Sequence, residues 1–224
     1  DAVYAPASME KVTESGIQEL HISVRNLVEF ILRGGDIDNR SSRMVQDAML
    51  EGGKIHRKIQ NSMGSSYTAE VPLKIERIEE SYVLVVEGRA DGIAFGEFVA
   101  DEPAKQIEEQ RLLEKQKDEM QIGEQLWYID EIKGVYRNLA SMDQPVYVHK
   151  AQAMCYAYIY ALQNHLDRIG VQMTYCNLDT EDIRYFREIW EWEDLYDWFE
   201  HLIAEYKKWA DWQIAWRQKR QESI

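Results

Sequence analysis

Cysteine, basic residues and long apolar runs are scarce in this sequence, and each shortage excludes a class of protein. Two cysteines, Cys155 and Cys176, are too few for a disulfide framework, a four-cysteine metal site or an iron–sulfur cluster within the chain. No apolar run approaches the roughly 18–20 residues that cross a bilayer, and the N-terminus lacks a secretion signal. We therefore expect a cytoplasmic protein with no membrane partner.

Basic charge is the second shortage. The 224 residues contain 26 Lys and Arg against 40 Asp and Glu, which gives a formal net charge of −14. This balance argues against a generic nucleic-acid coat and against a basic membrane-surface protein. Net charge does not describe how charge is distributed, so a local basic groove remains compatible with it. With 45% hydrophobic and 29% charged residues, the composition is that of a globular chain.

The spacing of apolar residues predicts an α/β protein. Helical spacing predicts helices that cover residues 23–33, 42–62, 145–168 and 193–219. Alternating apolar and polar residues predict strands that cover residues 67–77, 82–95, 126–133, 171–178 and 183–190. The order predicts one domain over 21–224, with a mixed sheet flanked by helices. Residues 1–20 are expected to be a partly irregular leader, and about 100–125 a charged insert on the surface.

Acidic residues interrupt two of these strands. Asp91 lies within VEGRADGIAF, and Glu131 and Lys133 lie within WYIDEIKG. Side chains two residues apart in a strand share a face, so Glu131 and Lys133 project together while Ile132 points into the core. If the two strands are neighbours, Asp91 lies beside Glu131. Converging carboxylates with a nearby lysine are typical of a Mg²⁺ or Mn²⁺ site that activates water.

Each of these residues also has an ordinary structural explanation. A Glu-x-Lys pair is common on exposed strands, and an Asp before Gly is often a turn residue. The interpretation as a metal site depends on the occurrence of all three residues in predicted buried strands, because charge there is costly unless it is paired or bound to a metal.

The motif order supports a resemblance to a known family. The series Gly52-x-x-x-His56, Asp91, Glu131-x-Lys133 and Gln152-x-x-x-Tyr156 resembles that of RecB-type nucleases, in the PD-(D/E)xK phosphodiesterase superfamily. The resemblance spans about residues 20–190. The runs ISVRNLVEFILRGGDID, GRADGI and IDEIKG further resemble the N-terminal nuclease region of bacterial DinG-like helicases. No GxxxxGK[ST] phosphate-binding loop is present, so the chain does not contain the helicase motor.

The resemblance implies a three-layer α/β/α restriction-endonuclease-like fold and a role for each motif residue. Asp91, Glu131 and Lys133 would be catalytic, with Lys133 positioning or activating the attacking water. Gln152 and Tyr156, four residues apart on one helix face, would contact the substrate. The cofactor would be Mg²⁺ or Mn²⁺, and its ligands would be His56, Asp91, Glu131 and the carbonyl of Ile132. Glu70 is a weaker candidate for a further acidic group.

The implied activity is that of a metal-dependent deoxyribonuclease, and more narrowly an exonuclease. Its partners would be single-stranded DNA or DNA with a free end, and a downstream helicase domain that acts in DNA repair or recombination. Two alternatives stay open. One is a catalytically weak single-stranded DNA-binding module, and the other is a protein-interaction domain built on the charged insert and the last helix. We read the tryptophans between Trp190 and Trp216 as core or interface rather than as base-stacking platforms.

Overall fold

A computed structural model describes residues 9–12, 16–32, 42–101 and 123–222. Strands in this part of the chain are β1 (Met9–Val12), β2 (Gln18–Ser23), β3 (Tyr67–Ile78), β4 (Tyr82–Phe98), β5 (Glu124–Val135), β6 (Arg168–Asn177) and β7 (Ile183–Glu191). Its α-helices are α1 (Val24–Leu32), α2 (Ser42–Ser62), α3 (Tyr147–Asn164) and α4 (Trp192–Glu222). Most of the predicted charged insert, residues 102–122, lies outside the described residues.

The strands form one mixed sheet in the order β1-β2-β4-β5-β6-β7, and β3 also pairs with β4. The pairs β2–β4 and β5–β6 are parallel, whereas the other neighbours run antiparallel. This arrangement confirms the predicted α/β class with a mixed central sheet flanked by helices.

Helices cover both faces of the sheet. On one face, α1, α3 and α4 pack on the strands to form the main core. On the other face, Ile55 and Ile59 of α2 contact Ile132 and Cys176 in a smaller apolar cluster. The fold therefore has three layers, and Ile132 points into buried apolar surroundings as its strand position predicts.

The two N-terminal strands were not predicted. Residues 1–20 were expected to be a partly irregular leader, but Met9–Val12 and Gln18–Ser23 are strands of the sheet. The apolar alternation there extends over few residues, namely Leu20 and Ile22, and both side chains are only 1% exposed. Residues 18–23 form a strand because they pair with β4, which is distant along the chain. A short window of sequence does not show that pairing.

Local signals at the start of α1 and at both ends of α2 were more reliable, whereas the helix predicted over 145–168 ends at Asn164 and Arg168 begins β6. Ser23 was predicted to cap α1, and its Oγ accepts a hydrogen bond of 3.1 Å from the backbone N–H of Asn26. The predicted limits of α2, 42 and 62, are those of the structure. Among the described residues, no helix is both long and apolar enough to cross a membrane.

The aromatic residues of the last helix mostly pack on the core, as expected. Trp192, Trp198 and Trp209 are partly buried against it, and Tyr158 of α3 stacks on Phe199 with a centroid separation of 3.9 Å. Trp212 and Trp216, farther along α4, are exposed.

Candidate active site at the fork of the sheet

Strand β4 changes its neighbour along its length. It pairs with β3 along one edge; along its other edge it pairs with β2 over Tyr82–Glu87 and with β5 over Gly92–Phe98. The segment 88–91 therefore has no neighbour on this second edge, and we call it the fork. On this second edge the backbone groups of the fork form no hydrogen bonds to a neighbouring strand. Polar side chains can therefore bind to the sheet here. Asp91 lies at this point, and Glu131 begins the part of β5 that pairs only with β6.

Asp91 bridges the fork. Its Oδ2 accepts a hydrogen bond of 2.7 Å from the backbone N–H of Ile132. Its Oδ1 lies 3.5 Å from Nδ1 of His56. The carboxylate thus takes the place of a missing ladder bond and lies next to Glu131, as the sequence predicted for neighbouring strands.

Glu131 and Lys133 project together from β5, as their spacing predicts. Nζ of Lys133 donates to Oε1 of Glu131 at 2.9 Å. The other oxygen, Oε2, is fully buried and has no hydrogen-bond partner among the described residues. Burial, together with the negative charge of Asp91, raises the pKa of Glu131 to about 7, although Lys133 opposes the shift. This carboxyl group therefore needs a further positive charge or a proton.

Helix α2 holds Asp91 from the other side of the sheet. His56 faces the carboxylate, and Gln60, one turn later, donates from Nε2 to the Asp91 carbonyl at 2.8 Å. The same nitrogen donates to Oε1 of Glu70 at 2.9 Å. Gln60 was missed by the sequence analysis, although its spacing of four residues from His56 was an available signal.

Glu70, the weaker acidic candidate, has a different environment from that expected of a metal ligand. It lies opposite Asp91 in β3 with a φ of 57°, and its Oε2 lies 2.9 Å from Nε of Arg89. With Gln60 and Arg89 as partners, its carboxylate is already compensated. In the structure Glu70 therefore forms an ion pair with Arg89.

The pair between His56 and Asp91 predicts a dependence of stability on pH. Burial lowers the pKa of His56, but the hydrogen bond and charge of Asp91 outweigh it, so the pKa is raised above 6.5. A raised histidine pKa stabilises the fold fully below the unfolded pKa and loses this effect as pH rises through the folded pKa. We expect His56→Gln to lower the free energy of unfolding more at pH 5.5 than at pH 8, in urea titrations with EDTA. An equal loss at both pH values would contradict the pairing.

The two predicted substrate-binding residues lie on α3. The hydroxyl of Tyr156 reaches the fork, because a Cβ added to Gly88 would lie 2.6 Å from it. Burial raises the pKa of Tyr156, and the charge of Glu131 adds to the shift, which places this ring near the carboxylates. Gln152, one turn earlier, is buried, and its side chain has no hydrogen-bond partner among the described residues. The structure thus brings Tyr156 to the site and leaves the Gln152 amide available.

A buried acidic residue next to the site was not predicted. Asp130 is 1% exposed and accepts hydrogen bonds from the hydroxyls of Tyr67 and Thr174 and from the amide of Gln172. Burial raises its pKa, although the three donors oppose the shift. Asp130 shares its strand face with Ile132, so its burial could have been inferred from the same alternation. Any side chain in place of Gly92 would collide with Tyr67, because a Cβ added there would lie 1.9 Å from the Tyr67 ring.

The ligand atoms at the fork suit a divalent cation that keeps some of its water better than a cation held by protein ligands alone. Within the described residues, no three His, Cys, Asp or Glu side chains are grouped closely enough to hold a metal by themselves. However, Glu131 presents an unpartnered buried oxygen beside Asp91, and Mg²⁺ is commonly held by one or two carboxylates with waters and phosphate oxygens. The residues present therefore fit Mg²⁺ or Mn²⁺, with His56 engaged by Asp91 in the structure.

Comparisons with known proteins do not name a family. No family model matches the sequence, and no curated protein matches it. Among solved structures, the chain is similar to the crystal structure of SSO0001, with a TM-score of 0.46 and 16% sequence identity. The similarity covers 82% of this chain and 75% of that one.

Proposed function

We propose that this protein is a metal-dependent nuclease that hydrolyses phosphodiester bonds of DNA. The observation that carries the proposal is the convergence of Asp91, Glu131 and Lys133 at the fork. There, one buried carboxylate oxygen of Glu131 has no hydrogen-bond partner in the described part of the chain, and the Lys133 ammonium lies 2.9 Å from the other oxygen. Two carboxylates on adjacent strands can hold a metal ion that activates water, and a neighbouring lysine can stabilise charge on the phosphate.

Each side chain has a task in this proposal. Asp91, Glu131, the carbonyl of Ile132 and His56 would hold Mg²⁺ or Mn²⁺, which when bound neutralises phosphate charge and makes water more acidic. Lys133 is 24% exposed, so its ammonium can orient the attacking water and offset charge that develops on the phosphate. Gln60 fixes the backbone of Asp91 and keeps its carboxylate at the fork.

The substrate and setting follow from the resemblance to RecB-type nucleases. We propose exonuclease action on single-stranded DNA or DNA with a free end, in partnership with a downstream repair or recombination helicase. Gln152 and Tyr156 would contact the strand. A reducing cytoplasmic setting suits the two cysteines, which are both buried and unpaired.

The test is a cleavage assay on oligonucleotides labelled at the 5′ or the 3′ end, single-stranded and duplex, with Mg²⁺, Mn²⁺ or EDTA. We expect products with either metal, none with EDTA, and none from Glu131→Gln. Glu205→Gln is the matched control, because Glu205 is an exposed glutamate of α4 whose partner is Lys208. Unchanged cleavage by Glu131→Gln would contradict the proposal.

A second candidate function is supported by the direct contact between Lys133 and Glu131. Because this pair partly compensates the buried carboxylate, the fork could hold a nucleic-acid phosphate through Lys133 without cleaving it. Metal-independent binding of oligonucleotide with no product in the same assay would favour this binding module. Absence of both binding and cleavage would favour the protein-interaction domain.

A further inference from the structure

His149 lies on the face of α3 that carries Gln152 and Tyr156, since it precedes them by three and seven residues. It is partly buried, and its Nδ1 lies 3.0 Å from the hydroxyl of Tyr175 in β6. No role follows for it from the motif series, and the sequence alone suggested no partner for it.

The contact with Tyr175 determines which nitrogen of His149 carries hydrogen. The Tyr175 oxygen accepts a hydrogen bond of 3.0 Å from the backbone N–H of Val146. Tyr175 is fully buried and has no further side-chain partner in the described structure, so its own hydrogen must be donated to Nδ1 of His149. Nδ1 is therefore an acceptor, and the hydrogen of the neutral ring resides on Nε2.

The surroundings keep this ring neutral. Burial lowers the pKa of His149 to about 4, and the positive charges of Lys133 and Arg25 add to the shift. The charged groups that act on it thus come from β5 and α1, and both are cations. Each of these cations also pairs with a carboxylate, Lys133 with Glu131 and Arg25 with Glu29.

The Nε2 atom is available to a ligand. It has no hydrogen-bond partner among the described residues, and it is not one of the fully buried atoms without a partner, so solvent reaches it. Arg25 is more accessible than His149, with 71% of its side chain exposed, and it forms an ion pair with Glu29 on the same helix. A donor N–H on which the charges of Lys133 and Arg25 act favours an anion with acceptor oxygens, and a nucleic-acid phosphate is such an anion.

We propose that His149 and Arg25 form a second phosphate subsite, which binds the backbone phosphate next to the one at Lys133. His149 donates a hydrogen bond from Nε2, and Arg25 supplies charge. This subsite rests on the proposed function, because it positions the same strand that the fork would cleave. Tyr175 is a positioning residue, since it acts through His149.

The contributions of His149 and Arg25 can be distinguished by how each substitution changes the salt dependence of DNA binding. The probe is a fluorescein-labelled single-stranded DNA oligonucleotide, bound to the full chain with Ca²⁺ over a series of salt concentrations. We expect His149→Leu to weaken binding about tenfold with the slope of log K against log salt unchanged, because an uncharged donor displaces no counterion. Arg25→Gln should reduce the magnitude of that slope by about 0.7.

Controls separate loss of contact from loss of fold. His149→Gln should retain most of the affinity, because its amide nitrogen can donate from a similar position. Lys208→Gln removes an exposed cation of α4 and should leave the slope unchanged. Tyr175→Phe should weaken binding less than His149→Leu, since the ring keeps its place but loses its fixed tautomer. Circular dichroism serves to check that each variant is folded.

The outcomes also separate this inference from the proposed function. If the parent protein cleaves DNA but folded His149→Leu binds as tightly as the parent, the subsite is wrong and the nuclease proposal stands. A reduced slope for His149→Leu would mean a charged imidazolium and would overturn the neutral-donor assignment. If the parent neither binds nor cleaves DNA, both proposals fail.

Discussion

Lys133→Ala is expected to lower Mg²⁺-dependent cleavage by about 10²–10⁴-fold, the range for loss of a positioned acid–base or charge-stabilising group. Nζ of Lys133 is the ammonium next to the Glu131 carboxylate, and no other lysine contacts that carboxylate among the described residues. The rate is measured on an end-labelled oligonucleotide at saturating enzyme. Lys58→Ala, which removes a surface lysine of α2 paired with Glu181, should leave the rate unchanged.

Lys133→Ala also has a predicted effect on stability. Because burial raises the pKa of Glu131 to about 7 from 4.5, the folded state retains a proton that the unfolded state releases, so stability falls as pH rises through this interval. Removing Lys133 takes away the charge that opposes this shift. Thermal unfolding without metal should therefore show a larger loss for Lys133→Ala at pH 8 than at pH 5. Cleavage by Lys133→Ala equal to that of the parent would refute its catalytic role.

Asp130→Ala is expected to cost about 3–5 kcal/mol of unfolding free energy, the largest stability effect that we predict for a single residue. Three donors, on Tyr67, Thr174 and Gln172, would lose their common buried acceptor, and each buried unsatisfied group costs about 1–3 kcal/mol. Urea unfolding followed by tryptophan fluorescence measures the change.

Two milder variants calibrate this result. Tyr67→Phe removes a single hydrogen bond of 2.7 Å and should cost about 1 kcal/mol. Asp130→Asn keeps one acceptor oxygen and nearly the same volume, so its cost should lie between those of the other two variants. An Asp130→Ala protein as stable as the parent would show that these donors find other partners.

These predictions assign different tasks to adjacent residues of one strand. The side chain of Asp130 lies on the α2 face of the sheet, where both of its oxygens accept hydrogen bonds, whereas one oxygen of Glu131 has no partner within the described ranges. An acidic group whose acceptors are all used contributes to the fold, and one that lacks donors is available for a cation. Stability and cleavage should therefore respond separately to substitutions at the two positions.

Much of the candidate site could be predicted because it depends on local periodicity. The two-residue repeat of a strand placed Glu131 and Lys133 on one face and Ile132 on the other, and the contacts agree. The limits of α2 and the capping role of Ser23 followed from local signals in the same way. The catalytic, metal-binding and substrate-binding roles of all these residues, Gln152 and the Ile132 carbonyl included, remain predictions, since a contact between side chains does not test them.

Other features could not be read from local sequence. The strand β2, the fork in β4 and the pairing of His149 with Tyr175 each join residues that are distant along the chain. The partner of a polar side chain depends on which strands become neighbours, and that choice minimises the free energy of the whole sheet and core.

The sequence by itself determined the class of fold, the acidic character and which acidic residues interrupt the buried strands, because composition and short-range periodicity carry that information. Only the tertiary structure decided which of those carboxylates are compensated and which are not. Glu70 pairs with Arg89 and Asp130 with three donors, whereas one buried oxygen of Glu131 has no partner among the residues that the structure describes. The physical reason is that the cost of a buried charge is set by its neighbours in space, and these are assembled only when the sheet forms.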